Sequence, residues 1–192
     1  MSSTSNIVIV RLLIGVTFLT VMASAAVPSA VRHRTQKNSK AILGLVETLR
    51  TACEKHRDDT NILAIEFAAP QAGHDWSSTS FHRLSMKQHY EGWNGPYISH
   101  PISSSDNPYG GHISLCSDWK HARNLQFEIS RQEFGQFLIL DHVPQSVARI
   151  LDAELDGLKD DQKPGNRWER DGSVRWLEFG GRLMIELGVR RR

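Results

Sequence analysis

The spacing of apolar positions changes several times along the chain, and each change marks an element. From Leu12 to Val31 (LLIGVTFLTVMASAAVPSAV) twenty consecutive residues carry no charge, between Arg11 on one side and Arg32, His33 and Arg34 on the other. As a helix this run measures about 30 Å, enough to cross the hydrocarbon core of a bilayer. Beyond the basic junction, NSKAILGLVETLRTACEKH places Ile42, Leu45, Val46, Leu49, Ala52 and Cys53 at helical spacing. That is one stripe of an amphipathic helix over 39–57. KHRDDTN reads as its end.

Shorter elements follow. ILAIEF (62–67) is a short strand, and Ile113 and Leu115 in GGHISLCSD suggest another. NLQFEISR (124–131) alternates Leu125, Phe127 and Ile129 with polar residues, the signature of a half-buried strand. GQFLILDHV (135–143) is a further, more buried strand. Pro144 opens a helix carrying Val147, Ile150, Leu151 and Leu155 on one side, with Gly157 after its end. DGSVRWLEF and GGRLMIELG, separated by Gly-Gly, predict a closing hairpin. Because strands cluster rather than alternate with helices, the expected class is α+β, a long N-terminal helix packed on a small antiparallel sheet. Residues 1–34 form a leader and apolar stem, and 35–192 form one globular domain.

Composition changes this picture little. The formal net charge of the 192 residues is +2, too small to imply nucleic acid as a partner. The two cysteines, Cys53 and Cys116, are too few for a disulfide scaffold or a four-cysteine zinc site. Outside the cytosol they could pair and staple distant segments, and otherwise they are buried thiols.

The nine histidines are scattered and form no HExxH cluster, so they read as solvated loop residues. No GxSxG elbow, phosphate-binding loop or dinucleotide-binding GxGxxG is present, so the expectation is a protein without catalytic or cofactor-binding residues. One acidic group has another possible use. Asp152, Asp156, Asp160 and Asp161 follow one another around a helix end and could supply oxygen ligands to calcium, although not with the spacing of an EF-hand.

The segment GWNGPYISHPISSSDNPYGG (92–111) is too rich in glycine and proline for a helix or central strand, yet Trp93, Tyr97 and Tyr109 stud it. With the helix ending in LRTACEKHRDDT and with FLILDHVPQSVARILDAELDG, this loop resembles the type IV pilin-like family, which includes the type II secretion pseudopilins. The family's tryptophan-x-glycine-proline-tyrosine segment matches Trp93, Gly95, Pro96 and Tyr97. Its later asparagine-proline and glycines match Asn107, Pro108, Gly110 and Gly111. The resemblance implies that Gly95 and Pro96 set a turn, that the aromatics pin the loop to the domain, and that Gly110 and Gly111 reverse the chain into the next strand. It also implies a filament subunit assembled through its apolar helix. Other pilin-like subunits, an inner-membrane assembly platform, membrane lipid and a prepilin peptidase would be its partners. The protein would cross the bacterial inner membrane once, its domain in the periplasm or in an extracellular filament.

The N-terminus departs from the family. With Pro28 at the family's kink proline, processing falls between Asn6 and Ile7 and puts Arg11 where the family has glutamate. With GVTFLTV as the cleavage motif, it falls between Gly15 and Val16 and puts Thr20 there. Neither residue can offer the carboxylate that, in the family, pairs with a neighbour's terminal amine. Two further readings follow: a secreted domain released after Ala25 by a signal peptidase at Ala23-Ser24-Ala25, or a single-pass anchored ectodomain that does not polymerise.

Overall fold

The computed structural model describes residues 3–67, 79–117, 127, 135–157 and 172–189, with side chains from residue 31 onward. Two compact units divide the chain, 1–37 and 38–192. Helix α1 spans Ser3–Thr60. In the first unit the side chains of Val31, Arg32, His33, Arg34, Gln36 and Lys37 are exposed. Among the described residues no helix is long and apolar enough to cross a membrane. Most of the apolar run, 12–30, and the candidate processing residues Asn6, Ile7, Gly15, Val16 and Ala25 lie outside the described side chains.

The second unit is α+β. Its sheet has five strands, β1 (Glu66–Phe67), β2 (Ile113–Cys116), β3 (Phe137–Leu140), β4 (Val174–Leu177) and β5 (Arg182–Glu186), in the order β1-β2-β3-β5-β4. Every pairing is antiparallel. The predicted strands around Ile113 and in the C-terminal hairpin are present, the one expected over 135–143 is confined to Phe137–Leu140, and ILAIEF forms a strand only at Glu66–Phe67. NLQFEISR lies outside the described residues except for Phe127, which is buried.

The period-two alternation of the strands sorts their side chains onto two faces. Ile113, Leu115, Leu138, Leu140, Val174, Leu183 and Ile185 belong to the larger cluster, together with Ile42, Val46, Leu49, Ala52 and Cys53 of α1. Cys116, Phe137, Ile139 and Met184 point the other way and meet Phe67 and Phe127. Each Leu, Ile or Val so buried contributes about 1.5–3 kcal/mol, so the α1 stripe is a major source of stability.

Two helix ends show why the chain turns where it does. Asn61 adopts the left-handed region (φ 56°), and its N–H reaches the Arg57 carbonyl at 2.7 Å, which closes α1. Helix α2 (Gln145–Leu155) begins after Pro144 and buries Val147, Ala148 and Leu151, while Ile150 and Leu155 are only half-buried. Gly157 (φ 80°) ends it.

The cysteines are free thiols and do not pair. Cys53 faces the sheet from α1, whereas Cys116 sits in the cluster on the opposite face, so the sheet itself separates them.

Candidate functional site

The loop 92–111 folds back on the C-terminal end of α1, and its aromatic residues do most of the joining. Trp93 stands edge-on to Tyr97, with centroids 5.9 Å apart at 86°. The Trp93 indole N–H donates to the Arg83 carbonyl at 3.0 Å. Tyr97 places its ring against His56, at 5.3 Å and 79°, and its hydroxyl donates to the Asp59 carboxylate at 2.9 Å. That hydroxyl also accepts the Asn94 N–H. Burial, with the adjacent Asp59 carboxylate, pushes the Tyr97 phenol up to about 12.

Gly95 and Pro96 form the turn between Trp93 and Tyr97, joined by a cis peptide bond. At Gly92 (φ 81°) a Cβ would collide with the Asp59 carbonyl, so a residue without a side chain lets the loop approach the end of α1.

The second half of the loop is tied to the sheet. Asn107 is buried, and its Nδ2 donates to the Gly110 and Asp141 carbonyls at 2.9 and 2.8 Å. Its Oδ1 accepts the Tyr109 N–H at 3.1 Å, the short local turn that asparagine favours. Pro108 and Tyr109 are half-buried, and Tyr109 packs on the main core. Gly110 (φ 69°) and Gly111 (φ 95°) then lead the chain towards Ile113. The loop residues Trp93, Gly95, Pro96, Tyr97, Asn107, Pro108, Gly110 and Gly111 thus fall into two groups, one at the end of α1 and one at the end of β3.

Beneath the loop lie two polar groups that sequence reasoning placed in solvent or overlooked. His56 is fully buried, not solvated. Its Nδ1 lies 2.9 Å from the Ile62 carbonyl, which can only accept, so Nδ1 carries the proton. Nε2 then accepts from the Tyr90 hydroxyl at 2.6 Å. Burial lowers the His56 pKa, and the ring stays neutral at pH 7.

The second group centres on Glu66, also fully buried. Its Oε2 accepts the Leu84 N–H at 3.0 Å, and its Oε1 accepts the Ser85 hydroxyl at 2.6 Å. His82, likewise buried, brings Nδ1 to 3.0 Å from the same oxygen. Burial raises the Glu66 pKa, and the Ser85, His82 and Leu84 hydrogen bonds oppose that rise. Nothing in ILAIEF marks Glu66 as buried, because both parities of the segment carry apolar residues.

These contacts form a chain of support. Glu66 holds 82–85, whose Leu84 carbonyl accepts the Tyr97 N–H at 2.7 Å, and Tyr97 in turn holds the end of α1. The protons and lone pairs placed here hold segments to one another, which makes the arrangement an anchoring centre.

The acidic residues after α2 behave similarly. The Asp156 carboxylate accepts the Ser173 and Val174 N–H groups at 2.8 and 3.1 Å, fixing the entry to β4. Asp152 is half-buried on the preceding turn of α2, and Asp160 and Asp161 lie outside the described residues. Among the described residues no group of three or more His, Cys, Asp or Glu is placed to hold a metal. A separate cleft of about 340 Å³ opens between Arg50 and Glu54 of α1 and Glu186 to Gly188, away from the loop.

Compared with protein-family models, with curated proteins and with solved structures, the chain matches none.

Proposed function

We propose that the protein is a non-catalytic structural subunit of the type IV pilin-like kind, held in a membrane and assembled through its N-terminal apolar helix. The observation that carries this reading is the anchoring of loop 92–111. WNGPY packs on the end of a helix whose apolar stripe covers an antiparallel sheet, and NPYGG leads into the second strand of that sheet. The polar groups beneath the loop are engaged in holding it, as expected of a domain whose task is to present a surface. Small residues Ala23, Ser24, Ala25 and Ala26 would let apolar stems approach closely. The periplasm, or an extracellular filament, is the proposed place of the domain.

A second reading is an anchored single-pass protein that does not polymerise. Arg11 or Thr20 at the position of the family glutamate favours it. So does the excess of Lys and Arg on the domain side of the apolar run, Arg32, Arg34, Lys37 and Lys40 against Arg11 alone. By the positive-inside tendency such a bias retains the following domain in the cytoplasm.

Intact mass and N-terminal sequence of the protein from fractionated cells, combined with protease accessibility of the domain, separate these readings. A start at Ile7 or Val16 with the domain outside the cytoplasm supports the filament subunit. An uncut chain with a protected domain supports the second reading. A soluble protein starting at Ala26 overturns both.

A further inference from the structure

Charge is distributed unevenly along the chain. No Asp or Glu occurs before Glu47, while Arg11, Arg32, Arg34, Lys37 and Lys40 all do. The remaining residues carry eighteen Lys and Arg against twenty-one Asp and Glu, so the basic excess of the protein resides in its first quarter. In the first unit, Arg32, Arg34 and Lys37 are exposed on consecutive turns of α1, and so is Val31, which is 58% accessible. At about 100° per residue these three cations fan around rather more than half of the helix. No carboxylate stands within one helical turn of any of them in the sequence, which removes the usual intrahelical ion pairs.

We propose that Arg32, Arg34 and Lys37 form a basic collar that binds anionic lipid headgroups. The proposal rests on the reading that the apolar run from Leu12 to Val31 is held in a bilayer. A collar directly beside an uncharged run of that length lies at headgroup depth, where long Lys and Arg stems remain beside the acyl boundary and their charged ends reach phosphate. Val31, aliphatic and exposed, marks the apolar side of this boundary. A cationic stripe used against an acidic protein face would need no such neighbour. The collar thus selects which lipid surrounds the stem, and it fixes how deep the stem can sink.

The test offers the full chain to an equal mixture of phosphatidylcholine vesicles and vesicles that also contain phosphatidylglycerol, each marked with its own dye and separated by flotation. Wild type should collect on the anionic vesicles in at least tenfold excess at low salt, and that excess should collapse near 0.5 M salt, roughly, where screening shortens to a few ångström. The triple variant R32Q/R34Q/K37Q, whose changes are confined to exposed helix positions, should float but distribute evenly. Even distribution of wild type, or an anionic preference that survives in the variant, overturns the collar while leaving the anchor intact. A chain that floats with neither vesicle overturns the anchor and the collar together. Flotation with anionic vesicles alone, lost in the variant, overturns the anchor and with it the collar as a device beside a buried stem, leaving only surface attraction of these cations to anionic lipid.

Discussion

The hydroxyl of Tyr97 lies 2.9 Å from the Asp59 carboxylate, thirty-eight residues earlier in the chain, and ties the loop to the last turn of α1. Because the same hydroxyl accepts the Asn94 N–H, it orders the turn around Gly95 and Pro96 as well. Tyr97→Phe keeps the ring contact with His56 and loses both hydrogen bonds. A loss of about 1 kcal/mol is expected in urea unfolding, as for a typical partly exposed hydrogen bond. An unchanged midpoint would mean that the Tyr97 hydroxyl contributes nothing to holding the loop.

Trp93 distinguishes packing from subunit contact. Its ring is half-buried and its indole N–H is bonded to Arg83. Trp93→Ala should cost about 2 kcal/mol, less than for a fully buried tryptophan, and lower the melting temperature by roughly 5 °C. If melting is unchanged while assembly is lost, Trp93 is a contact residue and the anchoring account of the loop is wrong.

His56 gives the domain a pH dependence of known sign. Its folded pKa lies below the unfolded value, because burial penalises the charged ring. The unfolded chain therefore binds the extra proton first. The stability supplied by neutral His56 is fully present above the unfolded pKa of about 6.5 and is lost as pH falls from there to the lowered folded value. Chemical denaturation at pH 7.5 and pH 5.5 should show this loss in wild type. In His56→Gln the remaining dependence should be shallower, and equal slopes in the two proteins would remove His56 as its source.

Asp156 acts as an acceptor for backbone N–H groups. Replacing it with alanine strands Ser173 and Val174 N–H at the start of β4, at an expected cost of about 1–3 kcal/mol. Asp156→Asn retains an acceptor oxygen and should recover a large part of that loss. If both variants melt like wild type and calcium raises the melting temperature of wild type only, the carboxylate is a metal ligand instead.

The thiols should be silent until the domain opens. Cys53 is fully buried, and burial, reinforced by Glu66 and Glu54, raises its pKa far above the ordinary thiol range. Cys116 is buried on the other side of the sheet. Native protein at pH 8 should react slowly with a thiol reagent and should release two equivalents on denaturation. Non-reducing mass analysis showing a linked pair would contradict the separation of the two residues by the sheet.

Where local spacing decides structure, the sequence was sufficient. The stripe from Ile42 to Cys53 follows from helical periodicity, and the hairpin around Gly180 and Gly181 from alternation broken by two glycines, because both patterns are properties of neighbouring residues. The α+β class followed from the order of these elements. The roles of the polar residues were decided by tertiary structure. His56 and His82 look like any histidine in a polar stretch, and they become interior groups only because Tyr90 and Glu66 arrive from elsewhere to bond them. Gln136 shows the same dependence, bonding Ala64 from seventy-two residues away on both its N–H and its carbonyl. A polar side chain can be buried only when its partners are in place. Those partners are brought together by the folded chain, and the period of apolar residues carries no record of them.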